Sequence, residues 1–105
     1  RLEFLGDAML GTIISAFLYR HYTDAKEGDL TNLRAKIVSR KNLNTVGTQM
    51  KLLDLVESTH PKDSFGIDIN GNLLEALVGA IFLERGYESC KMVLNRFTPK
   101  FRKFS

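Results

Sequence analysis

The stretch that most constrains this chain is its first eleven residues, Arg1-Leu2-Glu3-Phe4-Leu5-Gly6-Asp7-Ala8-Met9-Leu10-Gly11. At 3.6 residues per turn, Leu2, Leu5, Met9 and Ile13 share one stripe, so the segment is helical and must bury that stripe against another element. Glu3 and Asp7 stand at i and i+4 on a neighbouring face. Like charges at that spacing cost a helix roughly 0.2–0.5 kcal/mol when nothing lies between them, which asks for a cation. The other reading is that both acids sit in the first turns, where the helix dipole favours negative charge, and simply face water. Taken alone, the pair favours this second reading. Phe4 lies off the stripe and should project toward something other than the chain's own core, which points to a partner surface.

The first helix is predicted to run to about His21, with Ile14, Phe17 and Leu18 continuing the stripe and Thr23-Asp24 ending it. No capping residue precedes Arg1, and a helix that starts at full amphipathicity without a cap is expected to be cut from a longer chain. Lys26-Glu27-Gly28-Asp29 reads as a loop before a second helix carrying Leu30, Leu33, Ile37 and Val38. Ser39 is placed to cap a third helix with Leu43, Val46 and Met50 inward, and Leu52, Leu53, Leu55 and Val56 follow as a short apolar turn.

From Ser58 to about Asn70 neither period holds, and the segment reads as a loop. His60 lies in it and His21 ends the first helix; neither belongs to a zinc or di-iron pattern, so both are expected at the surface. A further helix is predicted over about Gly71 to Arg85, with Gly86 as its stop. Inside it, Glu75 is surrounded by Leu73, Leu74, Ala76, Leu77 and Val78. A carboxylate in such a run is buried, and must either bind metal or pair with a lysine or arginine on another helix. Gly79, one turn later, lets another backbone approach closely. Glu88 to Phe97 forms a last helix with Cys90, Val93, Leu94 and Phe97 inward, and Thr98-Pro99 starts a final turn bearing Phe101 and Phe104. No segment has strand periodicity, so the fold class is all-α.

With 105 residues and 44% hydrophobic content, the chain supports one core and one domain. Its formal charge of +3 is unevenly spread. Arg34, Lys36, Arg40, Lys41 and Lys51 fall between Leu30 and Leu53 without an acid, and Lys91, Arg96, Lys100, Arg102 and Lys103 follow Glu88, again without one. Such segments can neutralise phosphates, and ordinary solvated helix faces look the same. Among them, Arg34, Lys36, Arg40 and Lys41 are the candidates for phosphate contact. The lone cysteine, Cys90, excludes an intramolecular disulfide and is expected in the core and not as a nucleophile. Nothing reads as a secretory signal or a membrane-spanning run, which makes the cytoplasm the expected location and a membrane partner unexpected.

The string R-L-E-F-L-G-D-A-x-L at residues 1–10 resembles the signature of the ribonuclease III family, which cleaves double-stranded RNA. The order Glu27-Gly28-x-Leu30-Thr31-x-Leu33-Arg34-Ala35 is similar to the helix that follows it in that family. Asn72 to Leu83 resembles the family's second motif, D-x-x-E-A-L-x-G-A-I-[YF]-L, with Glu75 on the glutamate and Asn72 where the family has aspartate. The resemblance spans about Arg1 to Glu88. It implies that residues 1–105 are a ribonuclease III catalytic domain of bacterial type, truncated at its N-terminus and without the double-stranded-RNA-binding domain the family often carries.

The resemblance further implies a Mg²⁺ site, with Mn²⁺ as the expected substitute, built from Glu3, Asp7, Asn72 and Glu75, in which Asp7 and Glu75 are catalytic. Hard oxygen ligands suit Mg²⁺, and an amide oxygen at position 72 can ligate but brings no charge. Family knowledge also implies a homodimer in which Phe4 inserts into the partner, with a shared groove for the RNA duplex, cleavage of both strands with short 3′ overhangs, and a role in RNA and ribosomal RNA processing. The alternative of a different class is a degenerate domain of the same fold that dimerises and binds RNA or ribosomal partners without cutting. Asn72 favours that alternative slightly; Glu3, Asp7 and Glu75 together favour the enzyme more.

Overall fold

A computed structural model of the chain describes residues 1–56 and 66–97, and all regular structure among them is helical. Four α-helices follow in order: α1 (Leu2–His21), α2 (Glu27–Ile37), α3 (Arg40–Gln49) and α4 (Ile69–Phe97), with a 3-10 turn at Leu52–Leu55 after α3. The long helix α4 is the centre of the fold. Helix α1 packs along it, α3 packs beside α1's contact, and α2 closes against α1.

Burial follows the predicted stripes from Ile13 onward, but in the first turns of α1 it runs along a neighbouring face: Gly6 and Leu10 are buried, whereas Leu2 is exposed and Leu5 and Met9 are half-buried, because the close backbone approach at Gly6 turns that face onto α4. Leu10, Ile13, Ile14 and Leu18 of α1 meet Leu74, Val78, Cys90 and Leu94 of α4, and Ile37, Leu43, Val46 and Leu52 complete one core. Met9, Phe17, Leu30, Leu33, Val38 and Met50 pack against it while keeping part of their surface in water. Two close approaches set the α1–α4 distance. A Cβ at Gly6 would run into the carbonyl oxygen of Glu75, and one at Gly79 into the carbonyl oxygen of Leu2. The expected role of Gly79 is thus realised, and Gly6 supplies its counterpart on the other helix.

Helix α1 has the predicted bounds. Against the expectation of no membrane-length apolar run, its 20 residues include an 18-residue window of mean hydropathy 1.4, which on length and composition alone would suffice to cross a membrane. Here α1 is a core helix whose face of Gly6, Leu10, Ile13, Ile14 and Leu18 is buried, while Glu3, Asp7 and Thr12 are exposed.

Helix starts differ from expectation at two places. Lys26 to Asp29 is not a loop: α2 begins at Glu27, because the Asp29 carboxylate accepts the Lys26 backbone N–H at 3.4 Å and two acids in the first turn suit the helix dipole. Helix α4 begins at Ile69, two residues earlier than the predicted Gly71. Its first turn is held from α3, where Asn44 Oδ1 accepts the Gly71 N–H at 2.8 Å while Asn44 Nδ2 donates to Asp68 at 3.1 Å. Ser39 caps α3 as expected, its hydroxyl accepting the Asn42 N–H at 3.2 Å.

Gly86 interrupts α4 with φ 81° and ψ −174°, a conformation open to glycine. The predicted stop and restart at this residue are present as a break inside one long helical path. Lys51 takes a left-handed conformation, φ 56°, between α3 and the 3-10 turn. His60 and the first part of the predicted loop, residues 58–65, lie outside the described residues, as do the side chain of Phe97 and the segment carrying Thr98, Pro99, Lys100, Phe101, Arg102, Lys103 and Phe104.

Candidate active site at the crossing of α1 and α4

The backbone contact of Gly6 with Glu75 puts the next residue of α1, Asp7, beside the Glu75 side chain. Glu75 is 4% exposed, the one charged side chain buried among the described residues. Burial from water is the main cause that raises its carboxyl pKa above the ordinary 4.5. Arg40 opposes this by hydrogen bond and charge, and the Asp7 carboxylate, close enough to share a hydrogen bond with Glu75, raises it further.

Arg40 comes from the first turn of α3. Its Nη1 forms an ion pair with Glu75 Oε1 at 3.0 Å and donates to Asn72 Oδ1, also at 3.0 Å. Asn72 and Glu75, three residues apart, share one face of α4, so a single guanidinium nitrogen spans both. The site therefore holds two carboxylates, one amide oxygen and one cation, contributed by three helices. Burial of Glu75 requires such a partner, since an unpaired carboxylate at this depth would be driven to its neutral form.

Of the four expected metal ligands, the structure brings together Asp7, Asn72 and Glu75. Glu3 stays exposed one turn before Asp7, and among the described residues no three His, Cys, Asp or Glu side chains gather into a metal-holding group. The candidate phosphate contacts separate. Arg40 is engaged with Glu75 and Asn72, Arg34 Nη1 donates to Ser15 Oγ on α1 at 3.0 Å, and Lys36 and Lys41 are exposed to solvent. A basic partner on another helix is one of the two expectations for Glu75, and the residue that provides it, Arg40, is expected from the sequence at phosphate instead. The available signal was its place in a stretch free of acids, which ruled out a nearer partner.

Phe4 is 84% exposed on α1 and faces away from the core. With Arg1, Leu2, Leu5 and Leu83 it borders a recess of about 530 Å³ on the surface. Leu83, 66% exposed on α4, was not singled out from the sequence. His21 is exposed and stacks on Phe17 with ring centroids 4.9 Å apart, a surface role as expected. The Cys90 thiol is fully buried, which raises its pKa, and it donates to the Val78 carbonyl at 3.4 Å; this is core packing and not a nucleophile.

Comparison with known proteins agrees with this fold. A family profile described as ribonuclease-III-like matches residues 1–100. The chain is 54% identical over 97 residues to Ribonuclease 3 of Zunongwangia profunda, covering 91% of this chain and 40% of that protein. It is 47% identical over 96 residues to Ribonuclease 3 of Flavobacterium psychrophilum, covering 91% and 39%. The chain thus spans about two-fifths of the length of these relatives. Among solved structures, the nuclease domain of ribonuclease III from Campylobacter jejuni, described as flexible in a region involved in dimer formation, matches with TM-score 0.85 at 35% identity, covering 95% of this chain and 73% of that one. Dicer from Pichia stipitis matches with TM-score 0.80 at 26% identity, covering 99% and 50%. With both sequence motifs on the two helices that meet at Gly6 and Glu75, and a family profile covering nearly its whole length, this chain belongs to the ribonuclease III-like family.

Proposed function

We propose that this chain is the nuclease domain of a homodimeric, cytoplasmic ribonuclease III that hydrolyses phosphodiester bonds of double-stranded RNA with Mg²⁺ and serves in RNA processing, that of ribosomal RNA included. The observation that carries this reading is the meeting of Asp7 and the buried Glu75 across the α1–α4 crossing, with the Asn72 oxygen on the same face of α4. Two carboxylates sharing a site repel one another and call for more positive charge than one guanidinium supplies, so the donor set fits a hard divalent cation. Asp7 and Glu75 would hold it, with Asn72 adding a neutral oxygen and Glu3 reaching the same site from one turn away. When bound, Mg²⁺ supplies a hydroxide nucleophile near neutral pH and stabilises charge on the phosphoryl oxygens.

The protein's own residues do the positioning. The packing of Leu74 and Val78 on α1 fixes the depth and direction of Glu75, and the Gly6 contact fixes the distance of Asp7 from it. Exposed Lys36 and Lys41 are placed to neutralise RNA phosphates. The exposed ring of Phe4, beside Leu2, Leu5 and Leu83, is the proposed contact with the second subunit. The region involved in dimer formation in the Campylobacter jejuni domain supports a dimer in this family.

One observation favours the second reading, a domain that dimerises and binds RNA or ribosomal partners without cleaving. Arg40 already neutralises Glu75, and position 72 carries an amide. Incubation of long duplex RNA with and without Mg²⁺, using Glu75→Gln as control, decides between them. Magnesium-dependent products that vanish in the variant support the nuclease; intact RNA that is nevertheless retained by the protein supports the binding domain.

A further inference from the structure

We infer that Arg40 is the resident cation of the acid site and competes with the divalent ion for Glu75, so that its departure is a step in metal binding. This rests on the reading of Asp7, Asn72 and Glu75 as metal ligands. The geometry is specific: one nitrogen, Arg40 Nη1, stands 3.0 Å from Glu75 Oε1 and 3.0 Å from Asn72 Oδ1, the two oxygens of α4 that the metal would use. Of the basic residues on this stretch of chain, Arg34, Lys36, Arg40 and Lys41, it is Arg40 that pairs with Glu75.

Charge favours the exchange once a divalent ion is available, and holds Arg40 in place until then. With Arg40 in place the cluster of Asp7, Glu75 and Arg40 has a net charge of one negative unit. Replacement of the guanidinium by a divalent ion leaves the two carboxylates fully neutralised. A guanidinium and a divalent ion at the same oxygens would repel one another, so both cannot stay. Arg40 can leave because its side chain is 42% exposed while its partner Glu75 is 5% exposed. The amide of Asn72 belongs to the same device: it accepts a hydrogen bond from Arg40 without adding a third negative charge to a metal-free site.

The test is titration of the metal-free protein with MnCl₂ by calorimetry, for wild type, Arg40→Gln and Glu75→Gln, together with side-chain NMR of ¹⁵N-arginine-labelled wild type titrated with MgCl₂. Competition predicts that Arg40→Gln binds Mn²⁺ about fivefold tighter or more, the lower end of ordinary coupling between sites. It also predicts that Glu75→Gln abolishes binding and that Mg²⁺ shifts the Arg40 side-chain signal to that of a solvated guanidinium. Equal or weaker Mn²⁺ binding by Arg40→Gln, with binding by wild type still lost in Glu75→Gln, overturns the competition and leaves the metal site standing, with Arg40 as a structural strut. An Arg40 signal unmoved at saturating Mg²⁺ overturns it as well. No Glu75-dependent binding in any variant overturns both the inference and the metal-site reading.

Discussion

Gly6 rests against the backbone of Glu75, so close that a side chain at residue 6 would collide with the Glu75 carbonyl group. This contact joins the two motif-bearing helices at the position where their acids meet. Gly6→Ala should therefore cost about 3 kcal/mol, the upper part of the overpacking range, and separate Asp7 from Glu75. Gly11, also in α1, has no atom within 4 Å of a Cβ built on it, so Gly11→Ala should stabilise by roughly 0.8–1.0 kcal/mol through helix propensity alone. Chemical denaturation of both variants checks the pair; a Gly6→Ala protein as stable as wild type would show that the helices can part without penalty.

Much of this arrangement is legible in the sequence where the causes are local. The span of α1, the Ser39 cap and the Gly86 break each depend on residues within a few positions of the feature. The burial of Glu75 is legible because its neighbours in the chain are almost all apolar. What escaped depends on distant parts of the chain. The first turn of α4 is held by Asn44, more than a helix away in sequence, so local periodicity places its start too late. Gly28 suggested a loop, but the cap supplied by Asp29 outweighs the weak helix propensity of one glycine. The partner of Glu75 depends on how α3 crosses α4, which periodicity does not encode, so the acid-free run around Arg40 points to phosphate instead.

The raised pKa of Glu75 fixes the sign of a pH dependence. Because the folded protein holds the Glu75 proton more tightly than the unfolded chain, this group contributes stability fully below about the ordinary 4.5, and the contribution is lost as pH rises through the folded-state value. Metal-free Glu75→Gln, which removes the buried charge, should melt a few degrees above wild type near neutral pH, with the difference closing as pH falls toward 4. A wild type that melts higher than the variant at neutral pH without metal would contradict this.

Asn72 withholds a charge from the proposed metal site. A unit charge pair 4 Å apart is worth roughly 4 kcal/mol at an effective dielectric of 20 before desolvation. Asn72→Asp should tighten Mg²⁺ binding and lower the metal concentration needed for cleavage, with little change in fold stability at saturating Mg²⁺. Arg40 would bind an aspartate more firmly too, so the gain should be larger when Arg40→Gln is present. Calorimetry giving equal Mg²⁺ affinity for wild type and Asn72→Asp in both backgrounds would remove residue 72 from the metal site.

Phe4 should act between subunits and not within one. Since its side chain is largely in water, Phe4→Ala should leave monomer unfolding within about 0.5 kcal/mol of wild type, as for ordinary surface substitutions, while weakening dimerisation about tenfold or more. Sedimentation at micromolar concentrations reads the second effect. A stable monomer unchanged by the substitution would take Phe4 out of the interface.

The central claim is that the carboxylates of Asp7 and Glu75, brought together where α1 crosses α4, form the metal centre of a nuclease. A crystal of the protein grown with Mn²⁺, examined by anomalous diffraction, tests it most directly. The account predicts an anomalous peak in contact with carboxylate oxygens of both Asp7 and Glu75, with the Arg40 guanidinium withdrawn from Glu75. An ordered site with no peak, the Arg40–Glu75 pair intact and Mn²⁺ bound elsewhere or not at all would contradict it.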